Sequence, residues 1–328
     1  MMSIIKAIVG FPFHLLKGIL QALAVVLLVA STLVLIGGYF GEGIGANHDW
    51  GSMLDILSHL RMVALTGQLI SFILFIILRD VPWVFAAIIS LGFNLSEIAP
   101  YYIPQQKPFS AEAGSLKILQ WNVYQENRSF NGIVSYIKET KPDIIGLQEV
   151  DQLWLTQLNV PLRNYPYRVL VPQNNNFGIA LYSKLPITAK QVRAFDEPPK
   201  PTDTSGFDLQ HFDPQKAAAQ VADRIWNQIF PDSVYPSIVA TINYRNQPVT
   251  VVVTHPVPPF PSFDMRNKQL HETAIFVGRL HQPVILMGDL NCSPWSVYYK
   301  AFLKNSGLKD SQMGFGIQPS WPNYVNGP

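Results

Sequence analysis

Long uncharged runs fill the first hundred residues of the chain. Residues 18–40 contain no charged side chain, and at 1.5 Å per helical residue a run of that length crosses a hydrocarbon core of about 30 Å. Residues 62–78 form a second uncharged run, just long enough to span. A third run, residues 81–98, is weaker because it contains a proline, an asparagine and a glutamate, and a re-entrant or interfacial segment is its alternative. The pattern predicts a membrane region over residues 1–100 with three transmembrane helices.

A cleaved signal peptide is the alternative reading of the first run. Signal peptides have an apolar core of about 7–15 residues followed by a small-residue cleavage site, whereas this run is longer and is followed by further apolar segments. Lys6 and Lys17 flank its start, residues 41–60 carry only acidic charges, and Arg79 lies in the next short loop. Because positive flanks stay inside, the sequence predicts a multi-pass protein with everything after residue 100 outside the cytoplasm.

The remaining two-thirds of the chain has the pattern of a soluble α/β domain. Residues 101–115 are rich in proline and polar residues and read as a linker. Beyond it, a domain over residues 116–328 alternates short β-like runs with helical periodicity. The β-like runs are 116–123, 144–148, 178–183, 237–243, 249–255 and 284–288, the helical ones are 130–138, 216–229 and 270–280, and 196–213 is a long polar loop. Several strands are apolar throughout, as when both faces of a sheet are covered.

Composition narrows the class without identifying an activity. Charged residues make up 14% and hydrophobic residues 48% of the chain, which excludes a disordered protein. Residues 107–328 contain 20 Lys and Arg against 17 Asp and Glu, so charge alone does not indicate a nucleic-acid-binding surface. The single cysteine, Cys292, excludes an internal disulfide and a cysteine-built zinc site.

Polar residues end four of the predicted strands. They are Asn122, Glu149 after Gln148, His255, and Asp289 with Asn291 two positions later. In an open α/β sheet a ligand lies beyond the carboxyl ends of the strands. Carboxylates and amides suit a hard cation such as Mg²⁺ or Mn²⁺, which takes one or two protein carboxylates and completes its shell with water and substrate phosphate.

Each of these residues also has a purely structural interpretation. Asn122 is typical of a strand-end cap, Glu149 of a cap on the following helix, and His255 of a buried histidine in a turn. The functional hypothesis therefore depends on the set, since all four strand ends fit one sheet edge.

The set resembles a known family. WNV at 121–123, QE at 148–149, GIALYSKLPI at 178–187, THP at 254–256 and GDLNCSPWS at 288–296 are similar to successive motifs of the endonuclease/exonuclease/phosphatase superfamily. The resemblance implies a deoxyribonuclease-I-like fold, a four-layer α/β sandwich, preceded here by the transmembrane helical region. The arrangement also resembles a bacterial, inner-membrane-anchored subgroup, with the catalytic domain outside the cytoplasm.

The resemblance also implies roles for the strand-end residues. Glu149 would be the principal ligand of a Mg²⁺ or Mn²⁺ ion, and Asn122 would support the metal or the phosphate. His255 would stabilise pentacovalent phosphorus, while Asp289 and Asn291 would position the nucleophilic water and the scissile phosphate. The expected reaction is metal-assisted hydrolysis of a phosphoester.

One departure from the family concerns the general base. The family carries an Asp-His pair near its C-terminus, but here no Asp is followed by His, and the sequence closes with PSWPNYVNGP. We expect a domain incomplete at its C-terminus, poorly stable and nearly inactive as given; a natural inactive relative is the alternative.

Two functional hypotheses follow. The first is a membrane-anchored, metal-dependent phosphoesterase whose substrate is a lipid headgroup, a phosphorylated small molecule or nucleic acid. The second is a catalytically inactive, membrane-tethered binding module. Neither hypothesis calls for an obligate protein partner.

Overall fold

The computed structural model describes residues 2–43, 55–104, 115–195, 235–260 and 263–318. The chain divides into two compact units. Unit 1 contains Met1–Pro108, Ser293–Lys300 and Asp310–Pro319, and unit 2 contains Phe109–Cys292, Ala301–Lys309 and Ser320–Pro328. Several sequence predictions lie outside the described residues: the polar loop 196–213, the helix 216–229, most of the linker 101–115 and the closing segment 319–328.

Unit 1 is built on three long helices. They are α1 (Met2–Gly43), α2 (Arg61–Leu78) and α3 (Val81–Ile98), and a 3₁₀ turn at Ser58–Leu60 leads into α2. Within the described ranges, three segments are long and apolar enough to cross a membrane, namely Leu15–Ile36, Asp55–Leu78 and Val81–Tyr101. The third predicted segment is a continuous helix despite its proline, because Pro82 occupies the first turn, where its missing N–H costs no hydrogen bond.

The burial pattern of these helices is the reverse of that in a soluble bundle. Ile77 is 68% exposed and Phe93 is 62% exposed, whereas Gln68 and Asn94 are fully buried. Small and aromatic residues fill the space between the helices, with Ala24 and Phe75 among the core residues. Apolar side chains outside and polar ones inside are typical of helices solvated by lipid.

A chain of hydrogen bonds joins the buried polar residues across all three helices. Arg61 donates to Asn94 (3.3 Å), Asn94 donates to Gln68 Oε1 (2.9 Å), and Gln68 donates to Ser90 Oγ (2.6 Å). Ser90 Oγ lies 2.9 Å from Thr32 Oγ1 of α1. Because each of these residues has a partner on another helix, the chain of hydrogen bonds fixes the register of the helices.

Residues 55–61 and 97–101 form one end of the helical bundle, called here the Arg61 end. Two C-terminal segments of unit 1 pack on it. Trp295 donates to the carbonyl of Glu97 (3.3 Å), Lys300 pairs with the Glu97 carboxylate (2.8 Å), and Arg61 stacks on the Trp295 ring at 5.6 Å. The Gly316 N–H donates to the carbonyl of Tyr101 (2.6 Å).

Unit 2 contains two four-stranded sheets. The first has the order β1-β2-β4-β3, with β1 and β2 parallel, and the second has the order β5-β6-β7-β8, with β7 and β8 parallel. The strands are β1 (Ile118–Asn122), β2 (Ile144–Gln148), β3 (Tyr167–Val171), β4 (Ile179–Ser183), β5 (Ile187–Ala194), β6 (Pro236–Tyr244), β7 (Gln247–Thr254) and β8 (Val284–Gly288). The described helices outside the bundle are α4 (Phe130–Thr140), α5 (Gln152–Asn159), α6 (Phe263–Gly278) and α7 (Val297–Ser306).

The two sheets pack face to face with helices outside. Ile144 of β2 meets Ile238 and Val251 of the second sheet in one core, while Ile145, its neighbour, meets Ile133 of α4 in the other. This alternation buries both faces of β2, as its unbroken apolar sequence predicts. On the far side, α6 buries one face and receives a hydrogen bond from Val257, just after β7. The predicted four-layer α/β sandwich is thereby confirmed.

Candidate active site

The parallel strand pairs deliver the predicted site residues to the carboxyl ends of both sheets. Asn122 of β1 pairs in register with Gln148 of β2, so Glu149 is the next residue beyond that pair. Thr254 of β7 pairs with Gly288 of β8. His255 and Asp289 therefore leave neighbouring strands side by side.

Asn122 joins the two sheets at this edge. Its Nδ2 donates to Glu149 Oε1 at 2.7 Å and to Asp289 Oδ2 at 3.1 Å. Its Oδ1 accepts from the Tyr124 N–H at 3.0 Å, which also makes it a strand-end cap. One amide group thus holds two carboxylates close together, and their mutual repulsion favours a cation between or beside them.

Glu149 has a backbone conformation that its side chain does not favour. Its φ of 61° lies in the left-handed region, which is uncommon for residues other than glycine, asparagine and aspartate. The helix that follows is capped by Asp151, which accepts from the Trp154 N–H at 2.7 Å, so Glu149 is not that cap. Its second oxygen instead accepts from the Gln125 N–H at 3.3 Å. Strain of this kind is typical of functional positions.

Asp289 and Asn291 form a compact turn after β8. The Asn291 N–H donates to Asp289 Oδ1 (3.0 Å), and Asn291 Nδ2 donates to the carbonyl of Pro256 (2.8 Å). Asn291 also has a positive φ of 50°, and its own carbonyl accepts from the buried Arg266 of α6 (3.0 Å). These bonds tie the loops after β7 and β8 to each other and to α6.

His255 stands slightly apart from the other four residues. It is 5% exposed, and its ring centroid lies 5.6 Å from that of Phe177. Among the described residues its Nδ1 has no hydrogen-bond partner. Hydrogen bonds connect Asn122, Glu149, Asp289 and Asn291, whereas His255 joins the group through strand register and through Pro256.

The donor set suits a hard cation bound mainly by carboxylates. Within the described ranges, no three His, Cys, Asp or Glu side chains converge closely enough to hold a metal by themselves. Glu149 would therefore supply the principal carboxylate, Asn122 would support it, and water and substrate oxygens would complete the shell. Mg²⁺ and Mn²⁺ are commonly bound in this manner.

Three further residues contribute that the strand-end pattern did not indicate. Gln125 donates its N–H to Glu149, and its Oε1 accepts from the Asn176 N–H at 2.9 Å. Arg266 holds the Asn291 carbonyl, and Pro256 holds its side chain. Arg266 lies near the start of α6, in the stretch RNKQL at 266–270.

Comparison with solved structures gives several similar folds. A beta hairpin deletion mutant of beta toxin from Staphylococcus aureus is 20% identical, with 60% of this chain and 75% of that chain covered and a TM-score of 0.43. The human Nocturnin catalytic domain with bound sulfate anion is 17% identical, with 58% and 70% covered and a TM-score of 0.42. Humanized D. rerio TDP2 is 17% identical, with 60% and 72% covered and a TM-score of 0.40.

Comparison with curated proteins gave no significant match. The family comparison did: the model of the endonuclease/exonuclease/phosphatase family matches residues 119–328. That range includes every strand end described above, from Asn122 to Asn291. The chain therefore belongs to the endonuclease/exonuclease/phosphatase family.

Proposed function

We propose that this protein is a membrane-anchored phosphoesterase that depends on Mg²⁺ or Mn²⁺. The observation that carries the proposal is the convergence of Glu149 and Asp289 on the amide of Asn122, at the carboxyl ends of strands from both sheets. Family membership supports the hydrolytic chemistry. The unusual backbone of Glu149 supports a functional rather than a structural reason for that side chain.

The side chains have distinct proposed tasks. Glu149 is the principal metal ligand, and Asn122 supports the site by orienting the two carboxylates. A bound metal supplies Lewis acidity toward the phosphoryl group. Asp289 and Asn291 hold the attacking water and the phosphate, with Arg266 and Pro256 fixing the Asn291 backbone and side chain. His255, buried beside Asp289 on the neighbouring strand, stabilises charge on phosphate oxygens as it develops.

The exposed apolar faces of α1–α3 support membrane anchoring. Lys6, Lys17 and Arg79 lie on the predicted cytoplasmic side. Arg61 lies at the opposite end, but it is buried and bonded to Asn94, so the structure of the bundle already accounts for it. In this orientation the Arg61 end and unit 2 face away from the cytoplasm.

The topology is tested with reporters fused after residue 110. A reporter that works only outside the cytoplasm is expected to be active there, because α3 carries the chain outward. A cytoplasm-only reporter at the same place serves as the control and should be silent. Activity of the cytoplasmic reporter would mean that α3 does not span and that the site faces inward.

The proposed activity is tested in lipid nanodiscs on a form of the protein that carries the Asp-His pair of the family, because the sequence lacks that pair and is expected to be nearly inactive without it. Hydrolysis of bis(4-nitrophenyl) phosphate should cease with a chelator and return with Mg²⁺ or Mn²⁺, and the melting temperature should rise with metal because the ion binds the folded state. Phospholipid, sugar phosphate and single-stranded DNA then distinguish the three substrate classes. Metal stabilisation without hydrolysis of any of them favours the binding module, and absence of both effects contradicts the proposal.

A further inference from the structure

The C-terminal segment of unit 1 presents an aromatic side chain on a tight turn. Phe315 is 66% exposed. It lies between Gly314 and Gly316, whose φ angles of 86° and 85° are readily adopted only by glycine. The Phe315 N–H donates to the carbonyl of Gln312 at 3.0 Å, so the turn holds a defined shape. The backbone is therefore arranged to point an apolar ring away from the protein.

This turn is fixed at the end of a candidate membrane span. The Gly316 N–H donates to the carbonyl of Tyr101 at 2.6 Å, and Tyr101 is the last residue of the span Val81–Tyr101. Met313 and Ile317, on either side of the turn, pack against a cluster formed by Ile98, Tyr101 and Trp295. The flanking residues are thus anchored inward, while Phe315 remains outside at the level where α3 ends.

Other apolar side chains are exposed beside the turn. Tyr102 is 58% exposed and Ile103 is 59% exposed, and both directly follow the span. The Tyr102 ring lies against Gly316, where an added Cβ would meet it at 3.4 Å. Phe93 and Leu95 are also exposed on α3, the helix that Tyr102 and Ile103 follow in the chain. Aromatic residues are enriched where helices leave the hydrocarbon core.

We propose that Phe315, together with Tyr102 and Ile103, inserts into the interfacial layer of the bilayer leaflet in which α3 ends. The occupant is lipid rather than protein, because Tyr102 and Ile103 directly follow a span whose exposed apolar side chains lipid covers in the spanning arrangement. The inference rests on the proposal that the helices span a membrane. It adds a lipid contact made by the turn at Phe315, about two hundred residues after the last helix of the bundle.

Site-directed spin labelling measures the depth of this contact. In a Cys292→Ser background, which removes the single natural thiol, Phe315→Cys carries a nitroxide in the full chain reconstituted in phosphatidylcholine vesicles. Collision with oxygen, which concentrates in lipid, is compared with collision with a water-soluble nickel chelate. The label at position 315 should favour oxygen strongly. Tyr102→Cys provides a second position in the same surface if the first variant does not fold.

Two control positions separate this inference from the spanning proposal. Ile73→Cys lies within the second span and is 53% exposed, and Val160→Cys lies in unit 2 and is 71% exposed. The label at position 73 should collide more often with oxygen, and the label at position 160 should collide more often with the nickel chelate. One outcome is that the label at position 73 favours oxygen while the label at position 315 either favours nickel, as at position 160, or is shielded from both reagents by protein. In either case the helices span the membrane, but the proposed lipid contact of Phe315 is wrong. If 73 favours nickel, both proposals fail.

Discussion

Glu149→Gln is expected to lower metal-dependent phosphodiester hydrolysis by at least about 10²-fold, since changing even the outer partners of a metal site costs about 10–100-fold. The substitution removes one negative charge from the pair that Asn122 holds, but it keeps the size of the side chain. Asn122 and the Gln125 N–H donate to different oxygens of Glu149, so the single amide oxygen of glutamine can keep only one of these two hydrogen bonds. The substitution also removes the repulsion between the two carboxylates, which offsets that loss, so metal affinity should fall while folding stability stays about the same.

Melting with and without metal separates the two effects. The melting temperature of the unmodified protein should rise with Mg²⁺. In chelator, Glu149→Gln should melt at the same temperature as the unmodified protein, and Mg²⁺ should not raise the melting temperature of this variant. Glu139→Gln makes the same chemical change on an exposed position of α4 and should match the unmodified protein throughout. Full turnover by Glu149→Gln would contradict the assignment, and a lower melting temperature in chelator would indicate a structural role instead.

Regular hydrophobic patterns were sufficient to predict the elements that are buried on both faces or that run long. The predicted ranges 144–148 and 284–288 coincide with β2 and β8, and the predicted third span coincides with α3. Every residue of β2 is buried, β8 is apolar throughout but mostly half-buried, and α3 is a continuous, mainly apolar helix of 18 residues. The same logic placed all four strand ends in one sheet, which is wrong, because β1 and β2 belong to the first sheet and β7 and β8 to the second. The carboxyl ends of both sheets nevertheless meet, and four of the predicted residues are in hydrogen-bond contact there.

Other features depend on tertiary contacts that no local pattern records. Strand β5 was not predicted, because five consecutive residues in its middle are exposed and its only described neighbour is β6. The helix α5 was also missed, since it has only eight residues and little helical periodicity. The sequence also did not indicate that Trp295 would pack with Arg61 and Tyr101, because both residues lie about two hundred positions earlier in the chain. The left-handed backbone of Glu149 likewise follows from the surrounding fold.

Gly288→Ala is expected to destabilise unit 2 by about 1–3 kcal/mol, the usual effect of overpacking a close-packed interior. Gly288 is the last residue of β8 and pairs with Thr254 at the end of β7. A Cβ at this position would overlap the Thr254 carbonyl group and would also press on its side chain. To relieve the overlap, the two strand ends must move apart. Because Asp289 and His255 are the next residues on these strands, the site should also lose about 10²-fold in activity, as for a displacement of about 1 Å.

Gly132→Ala makes the same chemical change in α4 of the same unit. Its added Cβ would meet only Ser129 Oγ, at an ordinary 3.6 Å, and alanine favours the helix by about 0.5–1 kcal/mol over glycine. Denaturant melts of the two variants should therefore shift in opposite directions from that of the unmodified protein, whereas only Gly288→Ala should lower the hydrolysis rate. If Gly288→Ala is as stable and as active as Gly132→Ala, the ends of β7 and β8 are not closely packed, and Asp289 and His255 do not depend on that contact for their positions.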